Sequence, residues 1–164
     1  HTGERRWTYE HGCSTMTSSV IQEGVIYVPS NGLTALSATD SQAGPDVLWQ
    51  SNRLQPTTAT PLVYDGKVFT VSGSILKCAD AKTGREVWQS RLTGKFTGSP
   101  VAAGGKLYLF NEDGVGQVVE ISDKRSRPIV AGDLGERILC SPAVANGGLY
   151  IRSDNSLWKI AKTQ

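Results

Sequence analysis

The chain has 164 residues, of which 38% are hydrophobic and 20% charged, and its formal net charge is +2. This length allows one domain with a substantial hydrophobic core. The small net charge and the scattered lysines and arginines argue against a nucleic-acid partner, which would require a basic stripe. The sequence also lacks the run of roughly 20 apolar residues that a membrane-spanning helix needs.

The first predicted element is a strand within residues 2–10 that carries Trp7. Its stretch TGERRW matches TGREVW, Thr83–Trp88, in residue type and spacing. The chain therefore opens with part of a motif that returns later in the sequence.

Four similar segments follow, and they begin at Ser18, Thr60, Ser99 and Ser141. Each contains an apolar run, a two-residue turn that ends in glycine, and a second apolar run with an aromatic residue. Asp-Gly, Asn-Gly and Gly-Gly pairs supply the positive φ angles of a tight hairpin. The distance in sequence from the start of one segment to the start of the next lies within the roughly 20–50-residue periods of repeat proteins. Each segment is therefore predicted to be the first hairpin of a repeat.

A third strand follows each hairpin after a turn rich in Ser, Gly, Asn and Asp. A fourth strand carries Trp49 in the first repeat and Trp88 in the second, and the third repeat has Val130 at the tryptophan position. No helix is predicted, because no stretch keeps an uninterrupted helical period. The predicted third strands are Leu33–Leu36, Leu76–Ala79, Val118–Ile121 and Leu157–Ile160.

The predicted fold class is all-β, with four-stranded antiparallel units that a β-propeller arranges radially as blades. A β-sandwich is the alternative, but it requires no strict internal repeat. The last blade has only three strands of its own, and the strand within residues 2–10 is expected to complete it beside Leu157–Ile160. The predicted blades cover about residues 12–52, 53–92, 93–135 and 136–164.

Two architectures fit these four blades. One is a small four-bladed ring closed by the strand within residues 2–10, which would remove exposed sheet edges. The other is half of an eight-bladed propeller, either as part of a longer chain or as one copy in a homodimer. The sequence pattern does not choose between them.

The stretch CADAKTGREVW, Cys78–Trp88, resembles the tryptophan-docking motif A-x-D-x-x-T-G-x-x-x-W of the pyrroloquinoline-quinone-like (PQQ-like) repeat family. In this motif the Asp and Thr side chains can bond the turn backbone, and the Gly permits a left-handed residue. The indole would pack flat between blades. The resemblance covers essentially the whole chain and implies a β-propeller. The structural docking residues are Asp80, Thr83, Gly84, Trp88, Trp49 and Trp7.

The resemblance implies three candidate functions. The first is a non-catalytic scaffold for protein or ligand binding in the bacterial envelope or outside the cell. The second is a fragment of a quinoprotein dehydrogenase, a class that holds PQQ and Ca²⁺ on the ring axis. The third is a factor that assists the assembly of outer-membrane barrels. All three imply a periplasmic or extracellular location.

The residues favour a protein without PQQ, Ca²⁺ or a catalytic site. Quinoprotein sites in this family typically use adjacent cysteines, whereas Cys13, Cys78 and Cys140 are far apart in the sequence. We interpret these cysteines as small buried residues, with a Cys13–Cys140 disulfide as the alternative. The stretch 111–117 contains oxygens that Ca²⁺ could bind, but it lacks the spacing of a calcium loop and is interpreted as a long turn.

A binding surface is expected where the loops between blades meet the loops between second and third strands. Loops on a rigid scaffold commonly carry binding groups, and this loop face is polar and of mixed charge. We expect it to bind a protein or a small ligand. Met16 and Phe96 are its apolar residues, either as anchors or as packing residues. The charged and titratable candidates are His11, Arg53, Arg91, Lys95, Glu112, Asp113, Arg137 and Asp154.

Overall fold

The computed structural model describes residues 3–14, 16–38 and 43–161, which form strands and loops with one short 3-10 helix, Asn52–Leu54. No helix in these ranges is long and apolar enough to cross a membrane. The strands are β1 Val20–Gln22, β2 Val25–Val28, β3 Leu33–Ser37, β4 Val47–Ser51, β5 Leu62–Tyr64, β6 Lys67–Ser72, β7 Ile75–Asp80, β8 Glu86–Arg91, β9 Val101–Ala103, β10 Lys106–Phe110, β11 Val115–Glu120, β12 Ile129–Asp133, β13 Ala143–Ala145, β14 Gly148–Arg152 and β15 Leu157–Ala161.

The strands form four antiparallel sheets in chain order, and each strand pairs with the next one along the chain. Sheet 1 contains β1–β4, sheet 2 contains β5–β8, sheet 3 contains β9–β12, and sheet 4 contains β13–β15. This arrangement confirms the predicted all-β class and the up-and-down order of strands within each repeat.

The first two strands of each sheet are joined by the predicted tight turns. In sheet 2, Asp65 has a φ of 50° and Gly66 a φ of 67°. The equivalent pairs in the other sheets also have positive φ at both positions. Two consecutive positive angles match the right-handed twist of the flanking strands, so the X-Gly pairs fix the hairpin register.

Successive sheets pack face to face through buried apolar side chains. Tyr27 and Ala35 of sheet 1 share a buried cluster with Val68 and Ala79 of sheet 2. A second cluster joins sheets 2 and 3, and a third, which includes Ile151, joins sheets 3 and 4. The sheets are therefore stacked in the manner of propeller blades.

A row of hydroxyl groups links the starts of the four repeats. The Ser18 amide donates to Thr60 Oγ1 at 3.2 Å, the Thr60 amide to Ser99 Oγ at 2.8 Å, and the Ser99 amide to Ser141 Oγ at 2.9 Å. These residues begin the repeated segments of the sequence, so the repeat places the same hydrogen bond at each blade boundary.

The described residues 3–10 do not pair with β15, and the completion of the last blade by residues 2–10 stays a prediction. Residues 3–10 form no strand, and sheet 4 has three strands in the described part of the chain. Such pairing requires sheet 4 to adjoin sheet 1, and no buried cluster of described residues joins these two sheets. Residue 2 and residues 162–164 lie outside the described ranges.

The residue at the tryptophan position of sheet 3 is Ile129, not Val130. In sheet 2 the bulge lies beside Cys78 and leaves Cys78 paired with Trp88, whereas in sheet 3 the register shift lies at Gly116/Gln117. Val118, the equivalent of Cys78, consequently pairs with Ile129. The repeat pattern alone does not reveal this, because it does not locate the bulge.

Candidate functional site

The docking turn after β7 is fixed by one carboxylate. Asp80 Oδ1 accepts hydrogen bonds from the Lys82 amide at 3.1 Å, the Thr83 amide at 2.8 Å and the Thr83 hydroxyl at 2.8 Å. The Thr83 hydroxyl contributes most to lowering the pKa of Asp80 below its ordinary value, and the two amides lower it further. Gly84 follows with a φ of 67°, which glycine adopts without strain.

This turn receives the tryptophan of the preceding sheet. The Trp49 ring packs against Gly84 so closely that a Cβ on Gly84 would lie 2.5 Å from Trp49 Cε3. Trp49 Nε1 also donates to the Ala81 carbonyl at 2.9 Å. Trp88 in turn donates to the Ser122 carbonyl of sheet 3 at 2.9 Å. Each indole therefore joins its own sheet to the next one.

Trp7 lies near the turn that precedes β4. A Cβ on Gly44 would lie 4.0 Å from Trp7 Cβ, and Gly44 precedes β4 as Gly84 precedes β8. The role of Trp7 as a docking residue stays a prediction.

In each sheet, the loop that leads into the first strand lies against the loop between the second and third strands. At least one hydrogen bond joins these two loops in each sheet, so the backbone of the loop face is restrained. The bonds include Ser30 Oγ to Gly12 O (2.7 Å), Gly73 N to Thr57 Oγ1 (3.3 Å), Glu112 N to Lys95 O (2.8 Å) and Asp154 N to Arg137 O (3.1 Å).

Glu112 has two side-chain partners on the loop face. Its Oε1 accepts a hydrogen bond from the Thr97 hydroxyl at 2.6 Å and lies 3.1 Å from Lys95 Nζ. The Thr97 bond and then the Lys95 bond lower the pKa of Glu112, with a smaller contribution from the charge of Arg137. Lys95, Glu112 and Arg137 are therefore brought together where sheet 3 meets sheet 4.

Glu136, another acidic residue of the loop face, ties the segment that leads into sheet 4 to the loop between β14 and β15. Its carboxylate accepts hydrogen bonds from Ser153 Oγ at 2.6 Å, Ser156 Oγ at 2.8 Å and the Asn155 amide at 3.2 Å. The hydrogen bond from Ser153 contributes most to lowering the pKa of Glu136, and the other two lower it further. The serine-rich stretch 153–156 was the available signal, but its acidic partner is distant in sequence.

The other predicted residues are distributed over the loop face. Arg91 Nη1 donates to Ser74 Oγ at 3.4 Å, and the His11 ring lies 4.8 Å from the Tyr9 ring between centroids. Glu112 is half-buried. The exposed members are His11, Arg53, Arg91, Lys95, Asp113, Arg137 and Asp154.

The candidate calcium stretch is a turn held by a buried amide. Asn111 Oδ1 accepts hydrogen bonds from the Asp113 amide at 3.1 Å and the Val115 amide at 2.8 Å, and Asn111 Nδ2 donates to Thr93 O at 3.0 Å. Across the described ranges, no group of three or more His, Cys, Asp or Glu residues could hold a metal ion.

The apolar residues and cysteines of the loop face have different environments. Phe96 is 2% exposed and packs in the core, whereas Met16 is 68% exposed. All three cysteines are free thiols, so the alternative Cys13–Cys140 disulfide is not formed. Cys140 Sγ donates to the Arg152 carbonyl at 2.9 Å.

A groove of about 940 Å³ opens on the loop face between sheets 1 and 2. Its lining includes Asn31, Gln50, Asn52 and Gln55, with Met16 at one side. Neutral amides both donate and accept hydrogen bonds, so this part of the face presents polar groups without charge.

Comparison with known proteins identifies relatives of this fold. The profile of the family described as outer membrane protein assembly factor BamB matches residues 72–164, more than half of the chain. A search of curated proteins found no match.

Solved structures show the same fold at low sequence identity. BamB from Moraxella catarrhalis is 20% identical with a TM-score of 0.73, over 98% of this chain and 50% of that one. The computationally designed Ika4 protein is 13% identical with a TM-score of 0.71, over 98% and 100%. A quinohemoprotein alcohol dehydrogenase from Pseudomonas putida is 18% identical with a TM-score of 0.65, over 88% and 29%. The chain thus spans about half the length of the BamB structure.

Proposed function

The chain belongs to the family of outer membrane protein assembly factor BamB, and from this premise we propose that it is a non-catalytic propeller scaffold that binds a protein during outer-membrane barrel assembly. The observation that carries the proposal is the loop face, in which every sheet contributes a hydrogen-bonded pair of loops. Such assembly takes place at the periplasmic side of the outer membrane, so we propose a periplasmic location.

The loop face is suited to protein binding because its charged side chains stand on restrained backbone. The backbone of Arg137 is bonded to Asp154, and that of Lys95 to Glu112. A surface that is already ordered loses little conformational entropy when it binds. Exposed charges of both signs steer a complementary partner and select against other proteins.

The quinoprotein alternative rests on similarity of fold. The dehydrogenase structure is 18% identical to the chain, and one fold supports many unrelated functions. We propose that neither PQQ nor Ca²⁺ is required. Titration with PQQ and Ca²⁺, followed by assay of dye reduction with alcohols, is expected to show no turnover; turnover would replace the scaffold proposal.

Binding to the barrel-assembly machinery tests the proposal directly. The immobilised chain would be titrated with detergent-solubilised outer-membrane barrel assembly complex. We expect binding that Arg137→Glu weakens by roughly tenfold, or about 1.4 kcal/mol. The matched control is Lys106→Glu, an exposed charge at the opposite end of sheet 3. Absence of binding, or equal effects of the two variants, would contradict the loop-face proposal.

The homodimer stays a prediction with its own measurement. Native mass spectrometry of the 17.6 kDa chain should show a species of twice that mass if a second copy completes the ring. A folded monomer at all concentrations would contradict the homodimer but leave the loop-face proposal intact.

A further inference from the structure

A cleft separates each sheet from the next one, and the strand register identifies equivalent positions in the successive clefts. Trp49 fills the cleft between sheets 1 and 2, and Trp88 fills the one between sheets 2 and 3. Each indole donates to a carbonyl of the following sheet at 2.9 Å. Ile129 occupies this register position in sheet 3, so sheet 3 places no docking indole in the cleft between sheets 3 and 4. The Trp158 ring of sheet 4 packs instead against the buried cluster at the loop-face end of this cleft.

The wall of sheet 4 in this cleft is correspondingly exposed. In sheet 3 the equivalent wall contains Leu107 and Val119, and both are completely buried. In sheet 4 the register equivalents of these two residues are Leu149, which is half-buried, and Ile160, which is 46% exposed; the neighbouring Val144 is 44% exposed. The two walls have similar chemistry, and the one that faces the cleft without a sheet 3 indole is more open.

The cleft forms a groove of about 1000 Å³ between the two sheets. Phe110, Val118 and Ala131 line it from sheet 3, and Val144, Leu149 and Ile160 line it from sheet 4. This size is at the upper end of the roughly 300–1,000 Å³ of typical ligand pockets, and its lining is largely apolar.

Strand β12 at the rim of the groove is available for contact. All five of its residues are exposed, and Ile129 is 69% exposed. In contrast, β8 is anchored to the following sheet by Trp88 and by Ser90 Oγ, which donates to the Ser126 carbonyl at 2.6 Å. β12 is also the outermost strand of sheet 3, and an exposed edge strand offers main-chain groups to an added extended segment.

We propose that this groove binds an aromatic side chain, presented on an extended polypeptide segment of a partner protein. The chemistry follows from the two equivalent clefts, in each of which an indole on an extended strand fills the space and bonds a backbone carbonyl. An aromatic side chain from outside would bury the exposed wall of sheet 4 in the same manner. The groove is separate from the charged loop face, so this inference goes beyond the proposed function and does not depend on it.

A peptide taken from the chain itself is the appropriate probe. Residues 84–93, GREVWQSRLT, include the strand that fills the neighbouring cleft through Trp88. Titration into the ¹⁵N-labelled chain, followed by NMR, should shift the amides of Leu149, Ile160 and Gly132. We expect a dissociation constant of about 1 mM or tighter and at least tenfold weaker binding of the peptide with Trp88→Ala.

Variants of the groove separate this site from nonspecific association. Ile160→Glu places a carboxylate on the open wall and should weaken peptide binding by about tenfold. Leu157→Glu is the matched control, because Leu157 lies on the same strand with the opposite side-chain direction and is 77% exposed. Ile129→Trp should fill the groove from within, abolish peptide binding and raise the melting temperature.

Several results would overturn the proposal. They are equal binding of the two peptides, equal binding by Ile160→Glu and Leu157→Glu, and shifts confined to residues outside the groove. Absence of detectable binding by the parent chain would also overturn it. Binding of free indole without the peptide would indicate a small-molecule pocket instead. Arg137→Glu should leave peptide binding unchanged, which separates this outcome from failure of the loop-face proposal.

Discussion

The cleft between sheets 2 and 3 differs from the cleft between sheets 3 and 4 at the register position of the docking tryptophan. In the first, Trp88 is 5% exposed and its ring lies 6.1 Å from that of Phe69 between centroids. In the second, the register-equivalent Ile129 is 69% exposed. The first cleft is closed by packing over the full width of the sheets, and the second is closed at one end.

The closed end of the second cleft is the loop face. Phe110, Ile138 and Ile151 form the buried cluster there, and Glu136 bonds the outer loop of sheet 4. In repeat proteins, stability is approximately a sum of terms for each repeat and each neighbouring interface. Sheets 2 and 3 are therefore joined by the Trp88 indole and a large apolar cluster. Sheets 3 and 4 are joined by polar loops and a smaller apolar cluster.

Removal of the indole tests this difference with the largest expected effect. Trp88→Ala should lower the free energy of unfolding by about 3–5 kcal/mol, because it leaves a cavity in a packed cleft. Ile129→Ala should change it by at most about 0.5 kcal/mol, because the side chain is already exposed. Urea titration followed by circular dichroism measures both. Equal losses would show that the two clefts contribute equally and would break the comparison.

The docking turn provides the second test. Gly84→Ala places a Cβ 2.5 Å from Trp49 Cε3, which should cost about 1–3 kcal/mol through overpacking, in addition to backbone strain. Gly73→Ala is the control for strain alone, since Gly73 has a φ of 58° and a Cβ there has no neighbour within 4 Å. Thermal melts of the two variants isolate the contribution of the ring contact. If the two variants have the same melting temperature, the close approach of Trp49 to Gly84 does not contribute to stability.

The sequence predicted the parts of the fold that local chemistry determines. The Asp65-Gly66 turn and its equivalents followed from the need for positive φ angles, and the Asp80 turn followed from its side-chain bonds to Thr83. The tryptophan that packs on the Asp80 turn could not be predicted in the same way. The motif contains Trp88 in sequence, but the indole on the turn is Trp49, because docking joins neighbouring sheets.

Two further features lay beyond local sequence. The position of the bulge decided that Ile129 replaces the tryptophan, and a bulge depends on how two strands pair. The role of Glu136 depends on serines in a distant loop. The loop face itself was predictable from the order of strands, whereas its binding role stays a prediction.

Acidification should loosen the polar boundary of sheets 3 and 4. Hydrogen bonds lower the folded-state pKa values of Glu136 and Glu112, so the folded chain binds fewer protons than the unfolded chain in acid. Their stabilisation is present above the ordinary carboxyl pKa of about 4 and is lost as the pH falls through the lowered values. Both groups are near solvent, so the change should be smaller than that from Gly84→Ala.

Hydrogen exchange between pH 5 and pH 3 measures this response sheet by sheet. After correction for intrinsic exchange rates, the protection of sheet 4 amides should fall more than that of sheet 2 amides, because two carboxylates with lowered pKa values hold the sheet 3–4 boundary and one, Asp80, holds the turn of sheet 2. Glu136→Gln should reduce the difference, whereas Glu120→Gln, at an exposed position of β11, should preserve it. A uniform loss of protection would contradict a separate polar boundary.

The native cysteines report on the two clefts without any change in stability. Cys78 lies in the cluster between sheets 2 and 3, where burial raises its pKa to about 12, and only the thiolate reacts readily. Cys140 packs at the cluster between sheets 3 and 4 and is half-buried, whereas Cys13 is exposed. With Ellman's reagent at neutral pH, Cys13 should react first, Cys140 next, and Cys78 only on global unfolding. In the Cys13→Ser variant, the two remaining thiols each report the opening of one cleft, Cys78 between sheets 2 and 3 and Cys140 between sheets 3 and 4. If Cys78 then reacted as fast as Cys140, the cleft closed by Trp88 would open as readily as the cleft beside Ile129, and the Trp88 indole would not be what distinguishes them.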